Sequence, residues 1–187
     1  MADDPPGGMR RARDLALLDA IDAFPREAFE GRVWRVVREE RDPTLGGPSR
    51  SRWCDGSFDV LYTSLARDGA IAEIDALLSL QPVFPSKIRW LVHTLRVVTA
   101  RTLRLADPSA LARLGVVTER WADRDYLRSQ AIAEAAFFLG FDGLIAPSAR
   151  WPCDTLVLFD EQMAPGAVTV VASEPVDLVA WRRDPDR

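Results

Sequence analysis

The side chains of this 187-residue sequence that are best suited to chemistry are an arginine, a tyrosine, a glutamate and a serine. They are Arg52, Tyr62, Glu73 and Ser148, with Tyr62 ten residues after Arg52 and Glu73 eleven residues after Tyr62. A guanidinium can bind two phosphate oxygens at once and stays charged at all relevant pH values. A carboxylate can stabilise positive charge that develops during a reaction. These residue types suit a site that holds a phosphate and stabilises a cation.

Each of the four residues also has an ordinary structural explanation. A surface arginine such as Arg52 needs no special role. Tyr62 lies in a predicted strand, where a tyrosine is usually a half-buried core residue, and Ser148 follows a proline, where serine usually serves a turn or a helix cap. Glu73 lies between apolar positions of a predicted helix, so it either reaches outward to solvent or is held there for a purpose. Only the sequence context of the four residues can distinguish a functional role from these structural ones.

Metal ligands are scarce in this chain. It contains one histidine, His93, and two cysteines, Cys54 and Cys153, and none of them has zinc-type spacing. His93 lies in a β-branched run and is predicted to be a sheet residue with a satisfied hydrogen bond rather than a catalytic base. Two cysteines without a recognisable framework are typical of a reducing compartment. We expect free thiols and no metal.

Composition favours a soluble globular protein with a single domain. The chain is 48% hydrophobic and 28% charged, and its 24 basic and 28 acidic residues give a net charge of -4, which argues against direct nucleic-acid binding. No apolar run reaches the roughly 18 residues of a membrane-spanning helix, and the basic start has no signal-peptide core after it. We expect a cytoplasmic protein with no membrane contact. Residues 1–10 are predicted to be disordered, and 11–187 to form one domain.

The pattern of elements predicts an α+β fold, a mixed and strand-rich core with three or four surrounding helices. It lacks the regular alternation and the Gly-x-Gly-x-x-Gly fingerprint of a dinucleotide-binding Rossmann domain. Helices are predicted over 11–24, 68–80 with Asp68 as N-cap, 107–114, and 123–139, which is the longest. Strands are predicted over 32–37, 60–63, 87–105, 143–147, 155–159, 167–171 and 176–181, and a long loop over 39–56.

Four stretches of the chain resemble the RES-domain family, a group of toxins named for an arginine, a glutamate and a serine. They are Trp34-Arg35-Val36-Val37, Ser51-Arg52-Trp53-Cys54, the segment 60–73, and the segment 143–150 that contains Pro147-Ser148-Ala149-Arg150. Their order and spacing agree with the family over most of residues 32–160. The family's Gly-Gly-Arg-Trp-Asn loop has Arg50-Ser51 and Cys54 here in place of its glycines and asparagine. If that loop needs positive φ, serine fits it less well than glycine.

The resemblance implies a split sheet like that of the ADP-ribosyltransferase toxins, with NAD⁺ as co-substrate in its cleft. Cleavage at the ribose C1′ releases nicotinamide and builds oxocarbenium character. Arg52 is then the expected phosphate clamp, and Arg35 a second one. Trp53 is expected to stack on adenine, the alternative being that it closes the loop over the core.

The resemblance also gives roles to the other three residues. Tyr62 offers nicotinamide a flat face and offers a phosphate or ribose oxygen a hydroxyl. Glu73 accepts a hydrogen bond from the ribose hydroxyls and stabilises positive charge at C1′. Ser148 positions either Glu73 or the nicotinamide amide.

In function, the resemblance implies the toxin of a bacterial toxin-antitoxin pair, an enzyme that cleaves NAD⁺ and passes ADP-ribose to water, phosphate or a host protein. It also implies a cognate antitoxin, which we expect to occlude the cationic active site with a C-terminal carboxylate or acidic tail. The alternative is a non-catalytic module on the same fold that binds a nucleotide or a protein.

Overall fold

The computed structural model describes residues 14–81 and 88–183, so the disorder predicted for 1–10 lies outside the described residues. The five α-helices of the described part are α1 (Leu15–Asp22), α2 (Arg67–Leu78), α3 (Pro108–Arg113), α4 (Leu127–Phe138) and α5 (Leu178–Arg183). The strands are β1 (Glu27–Arg38), β2 (Gly47–Ser51), β3 (Cys54–Ser64), β4 (Trp90–Arg104), β5 (Gly143–Pro147), β6 (Asp154–Phe159) and β7 (Val168–Pro175). The α+β prediction is confirmed.

The strands form one mixed sheet that is divided into two halves. One half contains β1, β4 and β7, and the other contains β2, β3, β6 and β5. β1 is antiparallel to β4 along most of its length, but it meets β3 at the single pair Trp34 and Ser64. On its other edge β4 pairs with β7 up to Val97 and then runs parallel to β5 from Thr102 to Arg104. The long strand β4 therefore joins the halves.

Buried side chains form a core on both faces of this sheet. Val33, Leu61 and Leu95 belong to one apolar cluster between strands, whereas α1, α3 and α4 cover a larger cluster on the opposite face of β3. Helix α2 packs with α5 on a third cluster against β1. Because side chains alternate along a strand, β3 sends Leu61 to the first cluster and Tyr62 to the larger one.

Gly69 lets helix α2 lie close to the sheet. A Cβ atom at this position would collide with the Ser64 hydroxyl and the Cys153 thiol, which themselves lie 3.3 Å apart. Glycine weakens a helix, so its presence in the first turn has a packing reason. Glu73 lies one helical turn later on the same side as Gly69. The glycine therefore sets how closely Glu73 approaches the ends of the strands.

Two sequence-based assignments are wrong. The predicted loop over 39–56 contains β2 and the start of β3, which form a hairpin in which Ser51 pairs with Cys54. The predicted strand over 176–181 is mostly helix α5, because the Asp177 carboxylate accepts hydrogen bonds from the backbone N–H groups of Val179 and Ala180. That capping favours a helical turn over continued pairing.

Helix boundaries also differ from the predictions. Ala66 rather than Asp68 is the N-cap of α2, and no side chain caps it. Helix α4 begins at Leu127 rather than at position 123 and, with 12 residues, is as long as α2. The short α3 follows the prediction, with the Asp107 side chain accepting a hydrogen bond from the backbone of Ser109.

Candidate active site

Arg52 lies in the two-residue tip of the β2–β3 hairpin, and its side chain is held over aromatic rings. Its guanidinium carbon is 4.2 Å from the ring centre of Trp121 and 4.9 Å from that of Tyr126. Its Nη2 donates to the backbone oxygens of Trp121 at 2.6 Å and of Asp123 at 3.3 Å. Within residues 14–81 and 88–183, its Nε and Nη1 donate to no other group. These two donors can bind an anion.

The hairpin tip needs no unusual backbone. In the described part of the chain, every residue with positive φ is a glycine, and the one in this hairpin is Gly56. Ser51 therefore stands where the RES-domain pattern has glycine without backbone strain. The serine side chain also forms a contact that glycine cannot, because its hydroxyl lies 2.8 Å from the hydroxyl of Tyr62.

The Tyr62 side chain supports the hairpin tip from the sheet. Its hydroxyl accepts a hydrogen bond from the backbone N–H of Trp53 at 2.9 Å and pairs with the Ser51 hydroxyl. Burial raises the pKa of Tyr62, so the phenol stays protonated. Its hydroxyl is occupied within the protein, and its ring packs on the larger core cluster. Both the hydroxyl and the ring of Tyr62 therefore already have partners within the protein. Contacts of this side chain with nicotinamide and with a substrate oxygen stay predictions.

Trp53 closes the hairpin over the core rather than facing a cleft. Its side chain is 2% exposed and packs on Trp121, with ring centres 6.0 Å apart. A ring this buried has no free face for an adenine. The position of Trp53 agrees with the alternative, in which it closes the loop over the core, and its stacking on adenine stays a prediction.

Glu73 and Ser148 meet directly. The Ser148 hydroxyl donates to Glu73 Oε1 at 2.8 Å and accepts a hydrogen bond from the Arg150 backbone N–H at 3.0 Å. The Ser148 backbone N–H donates to the Cys153 oxygen at 2.8 Å, which fixes the turn after β5. Glu73 is exposed, so its second carboxylate oxygen can meet a ligand. The Ser148 hydroxyl is thus placed where it could position Glu73, and that role stays a prediction.

Arg52 and Glu73 belong to the same electrostatic environment. Burial lowers the pKa of Arg52, and the neighbouring charge of Arg150 lowers it further, whereas Tyr126 and Glu73 raise it. Arg52 also lies in the wall of a cavity of about 210 Å³ whose other lining residues include Arg120, Trp121 and Arg128. Asp125 also lines this cavity, whereas Glu73 does not. An arginine that interacts electrostatically with a carboxylate can hold the phosphates of a ligand while the carboxylate meets a centre that becomes positive.

Arg35 lies apart from this site. Trp34 pairs with Ser64, so both side chains share the sheet face that also carries Tyr62, and Arg35 points to the opposite face. Its Nη1 donates to two backbone oxygens of the segment after β1, at 2.9 and 2.8 Å. Burial lowers the pKa of Arg35 to about 10. Arg35 therefore lies on the other face of the sheet from Tyr62, and its role as a second phosphate clamp stays a prediction.

His93 lies beside Arg35 in the sheet, where the two residues pair across β1 and β4. Its Nδ1 is 2.7 Å from the Ser173 hydroxyl, whereas its buried Nε2 has no partner in the described part of the chain. Burial lowers its pKa, so its neutral form is favoured. The predicted sheet position is confirmed, but its hydrogen bonding is only half satisfied.

Several residues of the site were not found from the sequence. Trp121 and Tyr126 hold the Arg52 guanidinium, and Gln130 contacts the hairpin that carries it. Arg150 belongs to the quoted Pro-Ser-Ala-Arg stretch, but it was given no role. A polar glutamine in the alanine-rich helix over 127–138 was the one available signal for Gln130.

Three further properties of the described residues concern metal-binding groups, membrane-spanning helices and disulfides. They contain no group of three or more metal-ligating side chains placed to hold an ion. No helix among them is long and apolar enough to cross a membrane. Cys54 and Cys153 are free thiols, as expected.

Comparison with known proteins shows the family of this chain. A model described as the RES domain matches residues 32–181, and the chain therefore belongs to the RES-domain family. A probable NAD(+) phosphorylase of Mycobacterium tuberculosis is 34% identical over 152 residues, which is 78% of this chain and 72% of that protein. The NAD(+) phosphorylase MbcT of Mycobacterium bovis is 24% identical over 177 residues, covering 91% and 94% of the two chains.

A solved structure has the same fold. The crystal structure of the M. tuberculosis MbcT-MbcA toxin-antitoxin complex contains a chain that superposes with a TM-score of 0.80 at 22% identity. The superposition covers 91% of this chain and 97% of the other. The likeness extends to the arrangement of the sheet and its helices.

Proposed function

We propose that this protein cleaves NAD⁺ at the bond between nicotinamide and ribose and transfers the ADP-ribosyl group to inorganic phosphate. The observation that carries the proposal is the Glu73 carboxylate, held by the Ser148 hydroxyl at 2.8 Å with its second oxygen exposed, in the electrostatic environment of Arg52. The similarity to proteins named NAD(+) phosphorylases supports this substrate and this acceptor.

The pyrophosphate of NAD⁺ binds to Arg52 in this proposal. The free Nε and Nη1 donors can engage two phosphate oxygens, while Nη2 stays anchored on the Trp121 backbone oxygen. The stacking on Trp121 and Tyr126 fixes the plane of the guanidinium. A fixed cation loses little conformational entropy when the substrate binds.

Glu73 acts on the ribose. When the bond between C1′ and the nicotinamide nitrogen breaks, its electron pair stays on that nitrogen. The pyridinium ring loses its positive charge, and nicotinamide leaves as a neutral molecule. Positive charge then develops at C1′, and the Glu73 carboxylate stabilises it. An oxygen lone pair of hydrogen phosphate forms the new bond to C1′, and the product is ADP-ribose 1″-phosphate. Ser148 keeps one carboxylate oxygen fixed, so the other is aimed at the ribose.

Arg150 is the residue we assign to the phosphate acceptor. Arg150 follows Ser148 by two residues, and its backbone N–H donates a hydrogen bond to the Ser148 hydroxyl, which in turn holds Glu73. Its guanidinium is exposed and forms no hydrogen bond or ion pair with the residues that the structure describes. A free cation beside a carboxylate would offset the repulsion between Glu73 and an incoming phosphate.

The acceptor can be tested with NAD⁺ in buffers that contain phosphate or, at equal ionic strength, sulfate. We expect nicotinamide release in phosphate only, with a product that carries one phosphate more than ADP-ribose in ³¹P NMR. ADP-ribose as the product in both buffers would replace phosphate by water, and labelled protein in a lysate would replace it by a protein side chain. Folded protein without nicotinamide release under any condition would leave a binding module and overturn the enzyme.

A protein that consumes NAD⁺ in the cytoplasm needs an inhibitor, and we propose a cognate antitoxin that covers the Arg52 side of the site. The likeness to the MbcT-MbcA complex supports a partner of this kind. Arg52, Arg120 and Arg128 line one cavity together with Asp125, and Arg120 and Arg128 are paired with Asp123 and Asp14. The free donors of Arg52 suit an acidic tail or a C-terminal carboxylate. Inhibition by this antitoxin should be competitive with NAD⁺. Inhibition that survives removal of its C-terminal residues would place the contact elsewhere.

A further inference from the structure

We infer that Gln130 of helix α4 is a positioning residue, which holds the hairpin tip so that Arg52 can bind the pyrophosphate of NAD⁺. This inference rests on the proposed function. Gln130 has no role in the chemistry itself, because its amide contacts the backbone of the hairpin rather than the exposed donors of Arg52. Its effect reaches the substrate only through the arginine.

The amide of Gln130 spans the tip of the hairpin. Its Nε2 donates to the backbone oxygen of Ser51 at 2.8 Å and to that of Cys54 at 3.2 Å. These two residues form the last pair of the β2–β3 ladder, and only Arg52 and Trp53 lie between them. One side-chain amide therefore fixes both ends of the turn that carries the arginine.

Strand β3 also holds the tip of the hairpin, through the side chain of Tyr62. The Tyr62 hydroxyl contacts the Ser51 hydroxyl and the Trp53 backbone N–H, at 2.8 and 2.9 Å. The turn is thus bound both by helix α4 and by strand β3. The guanidinium of Arg52 is the part of the turn that remains available to a ligand.

Helix α4 links the backbone and the side chain of Arg52. Tyr126, the N-cap of α4, lies under the guanidinium, with its ring centre 4.9 Å away. The Gln130 backbone N–H donates to the Tyr126 oxygen at 2.8 Å, one helical turn along. The start of this helix therefore contacts both the backbone of the turn that carries Arg52 and the guanidinium of Arg52. Such preorganisation strengthens ligand binding without a direct contact.

A purely structural role would be the alternative, in which Gln130 only satisfies two partly buried carbonyls. The chain offers a matched control for this reading. The Nε2 of Gln162 also donates to a backbone oxygen, that of Phe137 at 3.4 Å, and Phe137 lies at the far end of the same helix. Loss of that contact should affect stability without affecting Arg52.

The test compares Gln130→Glu, Gln130→Leu and the control Gln162→Leu by thermal unfolding, steady-state kinetics and calorimetric NAD⁺ binding. Glutamate keeps the shape of glutamine but directs oxygens at the two carbonyls. Two hydrogen bonds of ordinary strength correspond to about a tenfold change, so we expect KM and Kd for NAD⁺ to rise about tenfold with a smaller change in kcat. The control should keep the wild-type KM. Should Gln130→Glu fail to fold, the leucine variant provides the same readout.

A double-mutant cycle separates positioning from stability. In an Arg52→Ala background, Gln130→Leu should leave KM unchanged, because the group that it positions is gone. Additive effects of the two changes would overturn the inference, as would a wild-type KM in a folded Gln130 variant. If the wild-type protein neither binds nor cleaves NAD⁺, the proposed function fails and this inference fails with it. Turnover with KM insensitive to Gln130 defeats this inference alone.

Discussion

Glu73→Gln should slow nicotinamide release from NAD⁺ by about a hundredfold to a thousandfold, with Kd for NAD⁺ changed only severalfold. A carboxylate that meets charge developing in the transition state typically has an effect of this size when it is lost. Glutamine fills the same space and can still contact the Ser148 hydroxyl, so the variant removes the charge and little else. Single-turnover kinetics with labelled NAD⁺ would measure the chemical step directly.

The matched control for this change is Glu30→Gln. Glu30 is an exposed glutamate on β1 that pairs with Arg96 away from the site, so its replacement should leave turnover unchanged. In cells, expression of the wild-type protein should arrest growth, and Glu73→Gln should relieve the arrest. A Glu73 variant with wild-type turnover would remove this residue from the mechanism, and equal toxicity of both proteins would indicate that growth arrest does not depend on catalysis.

Arg52→Ala should raise Kd and KM for NAD⁺ by about ten- to a hundredfold while kcat falls less. A charge-assisted hydrogen bond contributes about 1.5–3 kcal/mol, and 1.4 kcal/mol corresponds to a factor of ten. Arg52→Lys should recover only part of the affinity, because an ammonium lacks the planar fork that binds two phosphate oxygens and stacks on Trp121. Calorimetric titration with NAD⁺ measures the loss without the need for turnover.

Arg96→Ala is the corresponding control. Arg96 is an exposed arginine of β4 that forms an ion pair with Glu30, and its loss removes the same charge from a different surface. If Arg96→Ala weakened NAD⁺ binding as much as Arg52→Ala, the effect would come from net charge. A variant at Arg52 with lower kcat and wild-type Kd would place this residue at the reacting centre instead of the pyrophosphate.

The fold class and several central strands could be predicted from the sequence, because continuous apolar runs identify buried strands. Strand β5 matches its predicted bounds, and β6 differs by one residue. Strand β2 was not predictable, since Gly-Pro-Ser-Arg-Ser is polar and is stabilised only by pairing with β3. Helix α5 was misassigned because Val176, Val179 and Trp181 of the segment suit a strand, while the deciding contact is a local aspartate cap.

The residues of the candidate site could be predicted from the sequence, but the directions in which their side chains point could not. The structure brings Arg52, Tyr62, Glu73 and Ser148 to one region, yet Tyr62 supports the hairpin and Trp53 faces the core. The face to which Arg35 points could not be predicted, because adjacent side chains of a strand point to opposite faces and the pairing that decides the face is a long-range contact. Gln130 was missed because its target is backbone, which leaves no signature in residue types.

The tight packing at Gly69 also restricts how this site can change during evolution. A larger residue at position 69 meets the side-chain ends of Ser64 and Cys153 together, so a single substitution there requires that both side chains shift. Relief requires that both neighbours become smaller first, and the loss of the Ser64 hydroxyl frees the Ala66 N–H that it binds at the start of helix α2. Such a path has two unfavourable steps before a favourable one. Descendants of this protein should therefore keep all three residues or replace them as a set.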